Sequence, residues 1–280
     1  MKYFYFNPFV FSLFIAAMVL LASCDSDKDQ DPTDDTALVK EESEVISSYN
    51  DVDNLTLFAM QSNGLGLRTL LDFQGDICAN TDVDFNAGAK RITIDFGAGC
   101  TSPNGIIRKG KVILQYTGLF YIPGTVITAT FEGFEVNGKK LEGIRRTVNK
   151  GVDLNAQTIT LETTIADGKV TWPDAKSATI TLNHTRKISL PSSGEGIQVE
   201  VTGNSIGTSR EGKNYIANIG NVLNYLQTCT DTGNWIPSAG ILKIIVDNTT
   251  EYNIDYGVGA CDKEATVTVN GKSYTVTFDR

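Results

Sequence analysis

The sequence predicts a mainly β protein, an antiparallel sandwich or a long curved meander, preceded by a short N-terminal helix. Three observations carry this. From about Arg68 to the C-terminus, apolar and polar residues alternate with period two in short runs such as RITIDFG, KVILQYTG, TITLETTI, IQVEVTG and ATVTVNG. That period places alternate side chains on one face of a pleated strand. The dipeptides Asn137-Gly138, Asp167-Gly168 and Asn270-Gly271 fall between such runs, and they favour the positive φ angles of type I′ hairpins, so neighbouring strands pair antiparallel. Helical spacing occurs in one stretch, Ala37 to Gln61, where Leu38, Val45, Ile46, Tyr49, Val52, Leu55 and Leu57 recur before Gly64 and Gly66 end it.

Taken in order, residues 1–23 read as a targeting segment. Lys2 supplies a positive start, and Phe9 to Leu21 is apolar apart from Ser12. A membrane-spanning helix needs about 20 apolar residues, and this run stops short, before aspartates that hydrocarbon would exclude. A retained single-span anchor is the alternative. Leu21-Ala22-Ser23-Cys24 resembles the lipobox of bacterial lipoproteins, in which small residues precede a cysteine that is acylated and becomes the new N-terminus. The competing reading is an ordinary signal peptide cleaved near Cys24. Several acyl chains, each CH₂ contributing about 0.8 kcal/mol, hold a chain to the bilayer where one acyl chain would be marginal.

Residues 24–40 then read as the lipidated cysteine and an acidic tether. Asp25, Asp27, Asp29 and Asp31 alternate with polar residues, Pro32 follows, and like charges extend a segment of this composition. A calcium loop would need a glycine at its sixth position and a glutamate at its twelfth, and both are missing. The acidic run after the cysteine is similar instead to the export signal of surface lipoproteins in the Bacteroidetes, which would assign that role to Asp25, Asp27 and Asp29. Asp35-Thr36-Ala37 resembles the acceptor triplet for O-glycosylation in the same bacteria, with Thr36 as the acceptor. The formal net charge is −9, and residues 25–44 hold nine acidic residues against Lys28 and Lys40. The body is therefore close to neutral, and no basic stripe follows a phosphate backbone, which argues against nucleic acid as a partner.

Residues 41–280 form the helix and β-rich domain, with a candidate internal repeat over 78–150 and 229–280. Its mark is Ile94-Asp95-Phe96-Gly97-Ala98-Gly99-Cys100 beside Ile254-Asp255-Tyr256-Gly257-Val258-Gly259-Ala260-Cys261. Each of these cysteines has an earlier companion, Cys78 and Cys229. Four cysteines remain once Cys24 carries lipid, and an even number in an exported chain suggests disulfides. The repeat favours Cys78 with Cys100 and Cys229 with Cys261, while a bridge between the repeats stays open. Zinc is disfavoured, because closely spaced cysteine pairs are lacking and the chain has one histidine.

Three segments, ITIDFGAGCTSPNGIIRKGKVILQYTG, GTVITATFEGFEVNGKKLEGIRRTVN and YNIDYGVGACDKEATVTVNGKSYTVTF, resemble a family of Bacteroidetes outer-membrane lipoproteins that share two Gly-Cys strand ends. The resemblance covers most of residues 40–280. It implies an envelope location and a β-rich fold, and it brings no activity and no site residues.

Enzyme motifs find little context. Gly203-Asn204-Ser205-Ile206-Gly207 matches the nucleophile elbow G-x-S-x-G, but that motif needs a strand turning into a helix and a later histidine. Thr208 to Ile219 reads as turn and strand, and His184 lies upstream, on a strand where an exposed or hydrogen-bonded histidine is the plain expectation. Asp95 and Asp255 would serve glycoside hydrolysis only if they converged. Their plainer role is to accept backbone hydrogen bonds from the glycine turns that follow. Gly97-Ala98-Gly99 lacks the Lys-Ser/Thr of a phosphate loop. Trp172, Trp235, Tyr121, Phe120 and Phe134 are core filler, or else a stacking platform for sugars if they cluster in the open.

The expected function is thus a lipid-anchored lipoprotein of the outer membrane, displayed at the cell surface, with a non-enzymatic binding or assembly role. Its partners would be the membrane, through lipid, and a glycan, lipid or envelope protein. No catalytic residue, cofactor or metal is expected. The rivals are a carrier of hydrophobic ligands, which needs an apolar concave sheet; a fimbrial or adhesive subunit, which needs strand exchange; and a secreted hydrolase, which needs a polar cleft.

Overall fold

A helix of 31 residues, α1 (Pro32–Ser62), precedes one antiparallel sheet of fourteen strands in the computed structural model, which describes residues 32–66, 76–189 and 196–278. The targeting segment, Cys24, Asp25, Asp27 and Asp29 lie outside the described residues. The strands are β1 (Asp82–Asn86), β2 (Arg91–Asp95), β3 (Cys100–Thr101), β4 (Ile107–Tyr116), β5 (Val126–Val136), β6 (Lys139–Asp153), β7 (Thr158–Thr171) and β8 (Ser177–Ser189). Then come β9 (Gln198–Thr208), β10 (Asn214–Leu226), the short helix α2 (Gln227–Thr230), β11 (Ala239–Val246), β12 (Thr250–Val258), β13 (Glu264–Val269) and β14 (Lys272–Thr277). Each strand pairs with its chain neighbours, except that β2 pairs directly with β4 and β3 hangs on β4. Of the two architectures the alternation allows, the chain adopts the meander.

The helix begins earlier than its apolar spacing indicates, at Pro32 rather than near Ala37, so the last part of the expected tether is helical. The reason is local. Proline at the first helical position has its φ preset for a helix. Thr36 consequently sits half-buried on α1.

Two of the three expected hairpin turns form. Asn137 and Gly138 (φ 49° and 76°) join β5 to β6, and Asn270 and Gly271 (φ 51° and 75°) join β13 to β14. Asp167-Gly168 instead lies inside β7 as a bulge, where the register with β8 shifts between Ile165 and Gly168. A Cβ at Gly168 would stand 2.6 Å from the Ile165 side chain and 2.7 Å from that of Ile180. The glycine therefore permits the close approach that lets one strand run through, as bulged strands require.

The sheet curls around α1. A first apolar cluster joins Val45, Tyr49, Val52, Leu55 and Met60 of the helix to inward residues of β2 through β8, Ile92, Leu114, Phe134 and Ile165 among them. A second cluster unites Val39 with β9 through β14, including Ile244, Ile254 and Val267. Both disulfides are local: Cys78 is bonded to Cys100, with Cα atoms 6.1 Å apart, and Cys229 to Cys261, at 5.0 Å. Each closes around one hairpin, β1–β2 or β11–β12. The aspartates of the repeated motif do what the sequence suggests, since Gly97 N donates to Asp95 Oδ1 and Gly257 N to Asp255 Oδ1, both at 2.8 Å. The likeness is confined to these clamps: Cys100 opens β3, whereas Cys261 sits in the turn before β13.

Candidate functional site

A helix lying on a sheet ordinarily presents an apolar stripe, but α1 inserts acids into its own. The facing strands answer with arginines at inward positions. Arg108 of β4 donates to both oxygens of Asp51, Nε at 2.7 Å and Nη2 at 2.5 Å, and Arg145 of β6 does the same to Asp53 at 2.6 and 2.5 Å. Arg186 of β8 also reaches Asp53, and it bonds Asn50 as well. Arg108 and Arg145 are 1% and 2% exposed. Burial acts to raise the Asp53 pKa, yet the charges of Arg145 and Arg186 outweigh it and hold the carboxyl below its ordinary range. Buried pairs of this kind add little net stability over apolar packing, but they fix register, since a displaced helix would strand several charges. They lock α1 at one depth in the curl.

Nearer its N-terminus, at Glu41 and Glu44, α1 is held by loops instead. Trp172, just after β7, donates its Nε1–H to Glu44 Oε2 at 2.9 Å, and the Arg210 guanidinium stacks 4.7 Å over its ring. Arg210 N in turn donates to Glu41 Oε1 at 2.8 Å. Trp172 is therefore a strut with one face already occupied.

Beside this strut runs an open cleft of about 650 Å³. Ser43 and Ser47 of α1 line it, with Ile106 and Lys139 from the first half of the sheet and Trp235 and Ile236 from the second. Ser43, Ser47 and Trp235 also line a smaller recess of about 20 Å³, between α1 and strands β8 to β12. The recess thus abuts the cleft at these three residues. Inside the recess are Glu42, His184, Ser205, Tyr225 and Tyr256. Glu42 is 6% exposed, and among the described residues no donor or cation reaches its carboxyl; burial alone pushes it up to about 7. Burial, reinforced by Arg186 and Arg145, drives His184 down to about 3, so its imidazole is neutral. Tyr225 is likewise raised, to about 12, chiefly by burial.

Comparison of the chain with known protein families, curated proteins and solved structures finds no match.

Several expectations need correction. His184 is neither exposed nor hydrogen-bonded: it is 7% exposed, and its Nδ1 has no partner among the described residues. Its imidazole points into the curl, where the curvature leaves the recess. The G-x-S-x-G stretch is an unbroken part of β9. Its glycines serve packing, since a Cβ at Gly203 would lie 2.2 Å from Asn183 O, and one at Gly207 would lie 2.0 Å from Thr179 O. Ser205 does share the recess with His184, although no hydrogen bond joins them among the described residues. Asp95 on β2 and Asp255 on β12 lie near opposite ends of the sheet and do not converge. Phe120, Phe134 and Trp172 belong to the first core cluster, Trp235 packs against it, Tyr121 is half-buried, and of this aromatic group only the two tryptophans line the cleft.

Sequence reasoning missed Glu42. The signal was present: Leu38, Glu42, Val45, Ile46 and Tyr49 follow helical spacing, so a carboxylate occupies an apolar-stripe position. Among the described residues, no three or more His, Cys, Asp or Glu side chains are placed to hold a metal, and no helix is long and apolar enough to cross a membrane.

Proposed function

We propose that this chain is a lipid-anchored lipoprotein of the outer membrane, displayed at the cell surface through Cys24 and the acidic residues behind it, and that it binds an envelope or extracellular ligand in the cleft beside Trp235. The observation that carries the binding role is the cleft itself: a concavity of about 650 Å³, floored by a helix fixed in place by buried ion pairs, falls in the size range of ligand sites. The carrier alternative has less support, because the concave face of the sheet is filled by α1 and carries Arg108, Arg145 and Arg186. Strand exchange has some support in β1 and β14, each paired on one side among the described residues. Asp82 and Asp84 on β1 and Lys272 on β14 are, however, the charges that discourage edge pairing. A hydrolase built on Ser205 and His184 would need room for an acyl group, and the recess has room for a group about the size of one water molecule.

Two experiments test the reading. Cys24→Ala should abolish palmitate labelling, and replacing Asp25, Asp27 and Asp29 with Ala should reduce protease accessibility on intact cells without altering thermal stability. Equal labelling, or unchanged exposure, counts against the anchor or the export signal respectively. For the cleft, glycan and envelope-peptide arrays should give signals with the wild-type chain that Ser43→Trp, which puts a bulky ring into the cleft, removes. Signals identical in the two proteins would place binding elsewhere.

A further inference from the structure

We propose that the recess behind Trp235 is a site for a primary ammonium group, with Glu42 as its counter-ion and the aliphatic stem of the ligand leading past Ser43 and Ser47 into the cleft. This rests on the cleft being a ligand site and names the chemistry of its deepest point.

The acids of α1 are unequally partnered. Asp51 and Asp53 each face arginines, Glu44 meets Lys139 and Trp172, and Glu41 takes the Arg210 amide, but the Glu42 carboxyl has no such partner among the described residues. A carboxylate buried to this degree is costly unless it is paired or protonated. Within this chain burial raises the carboxyl to about 7, so it holds its proton below neutrality and can give it up to a cation that enters from outside. The walls suit an ammonium group. Trp235, Tyr225 and Tyr256 line the recess, and aromatic rings attract a desolvated cation. Ser205 and the Nδ1 of neutral His184, which has no other partner, supply hydrogen-bond acceptors. Arg186, the one cation in the lining, gives its Nη atoms to Asp53 and Asn50, while its Nε has no partner among the described residues. Size restricts the ligand further: about 20 Å³ admits a group the size of water or an ammonium head, and excludes a guanidinium or a trimethylammonium. The stem must be narrow and flexible to pass Ser43, Ser47 and Trp235, as an alkyl chain is.

A lysine side chain of a peptide and a free alkylamine share this chemistry. Calorimetry with n-pentylamine and with Nα-acetyl-lysine N-methylamide separates the two sources, and n-pentanol serves as the uncharged control. The wild-type chain should bind at least one of the amines, and Glu42→Gln, which keeps shape and removes the charge, should weaken that binding about tenfold or more. Wild type supplies a second readout: near pH 6 the ammonium must displace the Glu42 proton, so close to one proton should appear in the buffer per ligand bound. Equal affinity for Glu42→Gln, pentanol binding as tightly as pentylamine, or no amine binding by wild type would each overturn the assignment and leave the recess a hydration site. Should Ser43→Trp abolish array binding while Glu42→Gln leaves the amines unaffected, the cleft reading survives and the ammonium site does not.

Discussion

Replacing Glu42 with Gln should alter the pH dependence of stability in a way that identifies the recess as the source. Burial raises the Glu42 carboxyl from its ordinary 4.5 to about 7. The folded state therefore holds a proton that the unfolded chain releases above about 4.5, and stability falls as pH rises from there to about 7, by about 3 kcal/mol in all. His184 works in the opposite sense. Its folded pKa of about 3 lies below the ordinary 6.5, so its contribution is present above 6.5 and is lost as pH falls toward 3. Between about pH 4.5 and about pH 6.5 the two slopes, each about 1.4 kcal/mol per unit, cancel. The other polar groups lining the space are Ser43 and Ser47 of α1, Arg186 from β8, Ser205 from β9, Tyr225 from β10, Tyr256 from β12 and the Trp235 indole, and side chains of these types do not ordinarily titrate in this interval. Glu42→Gln removes one slope and exposes the other. Urea unfolding at intervals from about pH 5 to about pH 8, with m unchanged, should show the variant gaining about 2 kcal/mol as pH rises to 6.5 and exceeding wild type by about 2–3 kcal/mol at about pH 8. Parallel profiles for the two proteins, or a variant less stable than wild type at about pH 8, would refute the placement of Glu42.

Other consequences follow from the same geometry. Asp53→Ala leaves Arg145 and Arg186 without their shared carboxylate and should cost about 3–5 kcal/mol in urea unfolding, while a loss below about 1 kcal/mol would mean that water reaches both arginines. Gly207→Val places a branched side chain where a Cβ alone would lie 2.0 Å from Thr179 O, so it should lower Tm sharply or prevent folding; a Tm within a few degrees of wild type would contradict the β8–β9 contact. Replacing Cys229 and Cys261 together should cost about 2–5 kcal/mol and leave the Cys78–Cys100 bridge intact in non-reduced peptide maps. A Cys78 that changes partner in that variant would show that the clamps are not independent.

How much of this the sequence displays depends on the range of the interaction involved. The strands were legible because period two is local, and the Asn-Gly turns at 137–138 and 270–271 because left-handed φ is set by two residues. Asp167-Gly168 carries the same local signature but becomes a bulge, since the Ile165 and Ile180 side chains around it belong to β7 itself and to its partner β8, and a dipeptide holds no record of them. The start of α1 was hidden by composition: an acidic run with a proline reads as a tether unless Pro32 is recognised as an opening position. The ion pairs of Asp51 and Asp53 join residues 57 to 133 positions apart, and nothing local links them. His184 and Ser205 looked like fragments of a hydrolase because each was judged against motifs, whereas the curl of the sheet makes them walls of a recess. Trp172 and Trp235 were rightly grouped by their positions at loop edges, but that Arg210 covers one and the cleft takes the other is a property of packing.

Everything proposed for the cleft depends on α1 being its fixed floor and not a plug that leaves the sheet. Native-state hydrogen exchange on the full chain measures this directly. Because Asp51, buried, and Asp53, half-buried, are paired with three arginines and Val52, Leu55 and Ala59 lie in the first core cluster, amides from Val45 to Met60 should exchange through the same global opening as those of β6 to β8, with equal free energies. Protection of this stretch several kcal/mol below that of β6 to β8 would mean that the helix detaches while the sheet persists, contradicting the fixed cleft and favouring a carrier that opens its concave face.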